Sequence, residues 1–184
     1  YRDELRKTLN RSEKITNQEH IVLCPRINDN KHGRSNSNEQ IIEIENLIKS
    51  VCETKNVNAK ISTFYHEQYK TISEQKNFFK DSTIILGLHG TALTNMIWSD
   101  RYSSYTQKPL QIIEGIGLSE AYKNYSDFQN GNDDGYYRLF AEGFNVKWRH
   151  FFYHPINNKF NEVYIDLKNI ENALIDSILG DNIN

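Results

Sequence analysis

Apolar residues along the chain alternate between two rhythms. The run H-I-V-L-C-P at His20–Pro25 is continuously apolar and ends on proline, the pattern of a strand buried on both faces. Ile41, Ile44, Leu47, Ile48 and Val51 then recur at helical spacing, with Ser37 or Asn38 placed to cap the helix. Val57–Tyr65 alternates as a strand does. Thr71-Ile-Ser-Glu74 has the form of a capping box and predicts a short helix to Phe79 or Lys80. Thr83–Leu88 is the next buried strand, and the chain from Gly90 reads as a helix to about Trp98. Leu110–Glu114 and Val146–Tyr153 predict two further strands, and Glu162–Ile165 a short strand or turn. Asp166 is placed to cap a last helix with Ile170, Ala173, Leu174 and Ile178 on one face.

The remaining segments carry weaker patterns. Tyr1, Leu5 and Leu9 are four apart and predict an amphipathic helix over residues 2–12. Residues 1–18 therefore read as an N-terminal helix and linker, and 19–184 as one domain. Residues 26–37 and 99–109 are polar loops. Residues 115–133 are rich in Gly, Asp and Asn without a period, and Asp133 or Asp134 can cap a helix over Tyr137–Phe144. Strands and helices alternating in this way imply an α/β fold. The expected architecture is a Rossmann-like, mostly parallel sheet with helices on both faces. Ligands of such sheets sit beyond the carboxyl ends of the strands. That singles out the loops after Cys24, Leu88 and Glu114.

Composition changes this picture little. At 184 residues, 38% hydrophobic and 25% charged, with a formal charge of −2, the profile is that of an ordinary globular domain. There is no basic excess to bind nucleic acid and no apolar run long enough for a membrane span. The chain begins on Tyr, not Met, which fits an excised domain or a processed product. Cys24 and Cys52 both sit in apolar patterns and read as core residues. The sequons at Asn10 and Asn124 are what chance supplies in a chain this rich in Asn.

The chemistry lies in T-I-I-L-G-L-H-G-T-A-L-T-N, residues 83–95. A strand running through Gly87 and His89 into Gly90 and then a helix leaves free N–H groups aimed at the turn, an anion site. Gly90, Thr91 and Ala92 are small enough for a phosphate to approach the backbone, and His89 beside them can donate to it or move a proton. Neither the dinucleotide fingerprint nor the P-loop spacing is present. Arg26 and Arg34 bracket the first loop, with Lys31 and His32 between them, and arginine forks suit phosphate. A glycine turn and a solvated basic loop account for the same residues equally simply.

The order of these motifs resembles glycosyltransferase family 61. The resemblance rests on Arg26, the segment Arg34-Ser-Asn-Ser-Asn38-Glu39, and the pair Glu74-Gln75. It continues through Gly87-Leu-His89-Gly90-Thr-Ala-Leu93-Thr94-Asn95 and Ile112-Ile113-Glu114, then Tyr137, Ala141 and Asp166. Thr91, Ala92, Asn36 and Trp98-Ser99 depart from the family pattern. The resemblance implies one half of a GT-B enzyme, the half that binds the nucleotide sugar, with the acceptor half outside this chain or unusually compact. It implies inverting transfer from a UDP-sugar to a hydroxyl of a glycan or protein, without a metal or other cofactor. The expected nucleotide and phosphate binders are Arg26, Arg34, Gln75, Gly87, His89, Gly90, Thr91, Ala92 and Asn95, with Arg26, Arg34 and the amides of Gly90–Ala92 on the β-phosphate and Gln75, Glu74 and Asn95 ordering the site. Glu74 equally has its capping role. Glu114 is expected at the ribose hydroxyls or as the base, and His89 is the other candidate base, unless the base lies on the other half. Family members act in the secretory lumen in eukaryotes and in the cytoplasm in bacteria and viruses. A non-catalytic binding module of the same fold and a pyruvyl-type transferase remain as alternatives.

Other constellations are weaker. His150 and His154 lie four apart, but in a strand-like segment with no third ligand nearby. Asn130–Gly135 imitates the start of a calcium loop yet has Ala141 at its twelfth position. No G-x-S-x-G elbow supports a hydrolase.

Overall fold

The computed structural model describes residues 14–16, 18–27, 35–99, 101–103, 110–117, 146–155 and 163–179. In chain order the elements are β1 (Lys14–Thr16), β2 (Glu19–Cys24), α1 (Asn38–Thr54), β3 (Ala59–Thr63), a 3-10 turn (His66–Gln68), α2 (Ile72–Phe79) and β4 (Ile84–Leu88). A 3-10 helix (Thr91–Trp98), β5 (Arg101–Ser103), β6 (Gln111–Gly117), β7 (Lys147–Pro155), β8 (Val163–Ile165) and α3 (Leu167–Leu179) follow. The main sheet has six strands in the order β3-β2-β4-β6-β7-β8. All its pairs are parallel except β7 with β8. Counted within the sheet this is 2-1-3-4-5-6, one of the common doubly wound, Rossmann-like orders.

The central strands β2, β4 and β6 are buried on both faces because a helical layer covers each face. Ile21 and Leu23 of β2, Ile84 and Leu86 of β4 and Ile113 of β6 pack with Ile41, Ile44 and Ile48 of α1 and with Ile170, Leu174 and Ile178 of α3. On the other face, Val22, Cys24, Ile85 and Ile112 pack with Phe79 of α2 and with Leu93 and Met96 of the 3-10 helix. The helix starts are fixed locally. Ser37 caps α1 in a reciprocal capping box with Gln40, and Thr71 caps α2 with Glu74. The Thr71 amide donates to Glu74 Oε2 at 2.8 Å, and Glu74 N returns a bond to Thr71 Oγ1 at 3.2 Å. Asp166 precedes α3 and accepts from Lys168 N at 2.9 Å. Cys24 and Cys52 are free and buried, as their apolar setting predicts.

Three differences from the sequence reading have physical causes. The helix after Gly90 is 3-10. Thr94 Oγ1 donates to Thr91 O at 2.6 Å and Asn95 Nδ2 to Ala92 O at 3.1 Å, so two side chains reinforce i−3 carbonyls and favour the tighter winding. Strand β6 runs past Glu114 to Gly117. Its glycines are strand residues made necessary by aromatic neighbours: a Cβ on Gly115 would lie 2.6 Å from Phe151 Cζ, and one on Gly117 2.9 Å from the Tyr153 ring. Finally, β1 and β5 form a separate two-stranded parallel pair. Residues 14–16 had read as linker and 101–103 as loop. The expected helices over 2–12 and 137–144 and the loop at Asn130–Gly135 lie outside the described residues.

Candidate active site

The strand order reverses direction between β2 and β4, and there the loops at the carboxyl ends diverge and leave a crevice. A cleft of about 260 Å³ occupies it. Pro25, Arg26 and Ile27 enter from the end of β2, and Leu88, Gly90, Thr91 and Ala92 from the end of β4. Tyr65, His66 and Glu67, which follow β3, complete the wall.

Arg26 is held in this cleft at both backbone and side chain. Its N–H donates to Asn36 Oδ1 at 3.1 Å, and Asn36 N donates to Arg26 O at 2.8 Å. Asn36 is buried, so this two-bond clasp is shielded from water. The Arg26 guanidinium donates from Nη1 to His89 O at 2.6 Å. A Cβ on Gly90 would stand 3.2 Å from that nitrogen, so glycine leaves the fork room to lie over the turn. The first N–H groups of the 3-10 helix have no carbonyl ahead of them within it, and they open at the same turn. A guanidinium and a set of helix-start amides thus converge, an arrangement suited to phosphate oxygens.

Beside the cradle stands a chain of three side chains. His89 N donates to Gly115 O at 2.7 Å, which ties the turn to β6. His89 Nδ1 meets Glu114 Oε1 at 2.5 Å, and Trp148 Nε1 donates to Glu114 Oε2 at 2.7 Å. The Glu114 side chain is 4% exposed, whereas that of His89 is 38% exposed. Glu114 is therefore an interior group whose two oxygens are both engaged, and His89 is its outlet to the surface. Glu114, expected at the ribose hydroxyls or as the base, stands inside because β6 continues beyond it.

The sequence model of the family described as Glycosyltransferase 61 matches residues 1–106, more than half of the 184. The chain belongs to glycosyltransferase family 61. No curated protein matches it. The matched region of this glycosyltransferase takes in Arg26, Asn36 and the whole His89–Asn95 segment, while Glu114 and Trp148 lie beyond it.

Of the residues expected at the site, Arg26, Gly90, Thr91 and Ala92 line the cleft and His89 adjoins it. Others fall elsewhere. Gln75 sits on α2 with its side-chain amide donating to Tyr69 O at 3.1 Å. Asn95 is buried and bonded back to Ala92 O. Gly87 pairs with Cys24 inside the sheet, where a Cβ would be 2.6 Å from Cys24 O, so its task is strand packing. Glu74 is spent on its capping box, which holds its carboxyl below the usual range. Arg34, Lys31, His32, Tyr137 and Ala141 lie outside the described residues. His150 and His154 are on β7, and among the described residues no three His, Cys, Asp or Glu side chains cluster to hold a metal. Burial holds the His150 imidazole below its usual range, with the Glu114 charge pulling the other way. Cysteine chemistry is not part of the site: burial pushes the Cys24 thiol well up and the Cys52 thiol to about 11. Trp148 was missed. Its strand was predicted, but only the pairing of β7 with β6 brings its indole to Glu114.

Proposed function

We propose that this glycosyltransferase transfers a sugar from a UDP-sugar to an acceptor hydroxyl with inversion, and that this chain supplies the donor-binding half of a GT-B enzyme. The observation that carries the reading is the convergence of Arg26 and the Gly90–Ala92 helix start on one cleft, with His89 at its rim. As the bond from the sugar to the β-phosphate oxygen breaks, negative charge grows on that oxygen. Donors already aimed at it stabilise the transition state, each by roughly 3–4 kcal/mol in well-studied sites. Arg26 and the amides meet this charge without a metal. Arg34 joins them in this reading.

The acceptor must lose a proton as its oxygen attacks the anomeric carbon. His89 takes that proton while the nucleoside diphosphate leaves from the opposite face, a single displacement that inverts the centre. Glu114, bonded to Nδ1, orients the ring. The acceptor is a glycan or a protein hydroxyl. Tyr65 and His66 stand on the cleft wall where the nucleoside end of a donor would extend.

Calorimetric titration of the chain with UDP, UDP-GlcNAc, UDP-xylose and GDP tests the reading. Binding of UDP and at least one UDP-sugar, undiminished by EDTA, is expected. Donor hydrolysis or transfer then separates an enzyme from a binding module of the same fold. Indifference to every UDP compound would leave the pyruvyl-type alternative and remove the proposal.

A further inference from the structure

We propose that Trp148 is a positioning residue for transfer: its indole N–H fixes Glu114 as an acceptor on both oxygens, so that His89 keeps its proton on Nδ1 and presents Nε2 as the basic nitrogen. This rests on the reading of His89 as the base. A buried carboxylate needs a donor at each oxygen. Oε2 has Trp148 Nε1 at 2.7 Å, and an indole nitrogen can only donate. Oε1 has His89 Nδ1 at 2.5 Å, and one proton lies between that pair. On Nδ1, the proton leaves Nε2 with a lone pair. On the carboxyl, it would force Nδ1 to accept, and a neutral imidazole would then carry its hydrogen on Nε2, useless as a base. The indole N–H bears on this choice, because it occupies Oε2 and leaves Oε1 as the acceptor that faces Nδ1.

The fold gives the indole little freedom. The parallel register sets Ile112 opposite Trp148 and Glu114 opposite His150. Trp148, His150 and Phe152 share one face of β7 by strand alternation. The indole stacks on His150 with centroids 4.9 Å apart and planes 25° from parallel, and Phe152 closes the far side of His150 at 5.1 Å. The packing therefore aims Nε1 at Glu114, and a ring without the N–H would fill the same space without making the bond.

The full chain, labelled with nitrogen-15 at histidine, tests this through long-range proton–nitrogen correlation, His89 being assigned by the signal lost in His89→Gln. Wild-type His89 is expected with Nδ1 protonated and Nε2 as acceptor. Trp148→Phe is expected to lose most of that tautomer, and kcat to fall on the order of tenfold at unchanged KM, part of the ~10²–10⁴ a general base contributes. Should Trp148→Phe not fold, 3-benzothienylalanine at position 148 keeps the ring shape and replaces N–H by sulfur, and the same loss is expected. A folded variant of either kind that retains the wild-type His89 tautomer overturns the proposal, as does a changed tautomer with unchanged kcat. The tautomer is read without donor or acceptor, so its outcome is separate from that of the UDP titration.

Discussion

Truncation of Arg26 to alanine separates a phosphate ligand from a structural strut. The guanidinium donates a 2.6 Å bond to the His89 carbonyl. If that were its whole role, Arg26→Ala would cost about 1 kcal/mol of folding stability, the net worth of an ordinary hydrogen bond, and leave affinity alone. A fork that also grips the diphosphate removes charge-assisted bonds worth about 1.5–3 kcal/mol. UDP dissociation constants should then rise on the order of ten- to a hundredfold, since 1.4 kcal/mol is about tenfold. Arg26→Lys should fall between wild type and Arg26→Ala, because it keeps the charge and loses the planar fork. The assay is calorimetric titration of UDP, paired with a thermal melt of each variant. A folded Arg26→Ala protein that binds UDP within about twofold of wild type refutes the phosphate role, whatever its melting temperature.

Other outcomes follow from named contacts. Asn36→Ala opens the clasp on the Arg26 backbone and should raise the UDP dissociation constant severalfold while Gly90 and its helix stay in place; unchanged affinity counts against a positioned Arg26. Gly87→Ala forces a Cβ to within 2.6 Å of the Cys24 carbonyl, a backbone atom, and should cost about 1–3 kcal/mol or more in urea unfolding. Glu19→Gln addresses pH. Glu19 is fully buried and accepts a bond from the Thr83 hydroxyl, and burial raises its carboxyl above the ordinary range. The folded state therefore holds this proton more tightly than the unfolded state. Its stabilising share is complete below the ordinary Glu value and is lost as pH rises through the folded value. Glu19→Gln should flatten the decline of urea midpoint as pH rises above the ordinary Glu range. Equal slopes in both proteins would refute the assignment.

How much of this could be read beforehand depended on distance along the chain. Thr71 with Glu74 was readable because both partners of the cap lie within four residues, while Ser37 was read only as one of two cap candidates and its partner Gln40 came from the structure. The cradle was readable because a strand, two glycines and a helix start are contiguous at residues 84–98. The end of β6 was set too early, at Glu114, because Gly115 and Gly117 look like turn residues until Phe151 and Tyr153 are known to lie against them. Gln75 and Asn95 matched a motif, yet their amides serve carbonyls a few residues away in their own segments. The three-residue strands β1 and β5 are too short for any period to show. Trp148 carries no local sign of its role, which depends on a register with β6 that no alternation of residues encodes.

The parallel sheet also sets an order of assembly for a chain emerging from the ribosome. The bond from Arg26 to the His89 carbonyl links residues 63 apart, and both precede the Glu114–Trp148 bond, which spans a further 34. Parallel strands must close long loops before their contacts form, so each join waits for its crossover. The cleft between β2 and β4 can close as soon as β4 has emerged, while the bond from Trp148 to Glu114 forms only after β7 docks on β6. Under the proposed function, a nascent chain thus acquires its grip on phosphate before its competence for chemistry. Nucleotide bound at that stage would stabilise the half-built sheet without being consumed, a ligand acting first as a template and only later as a substrate.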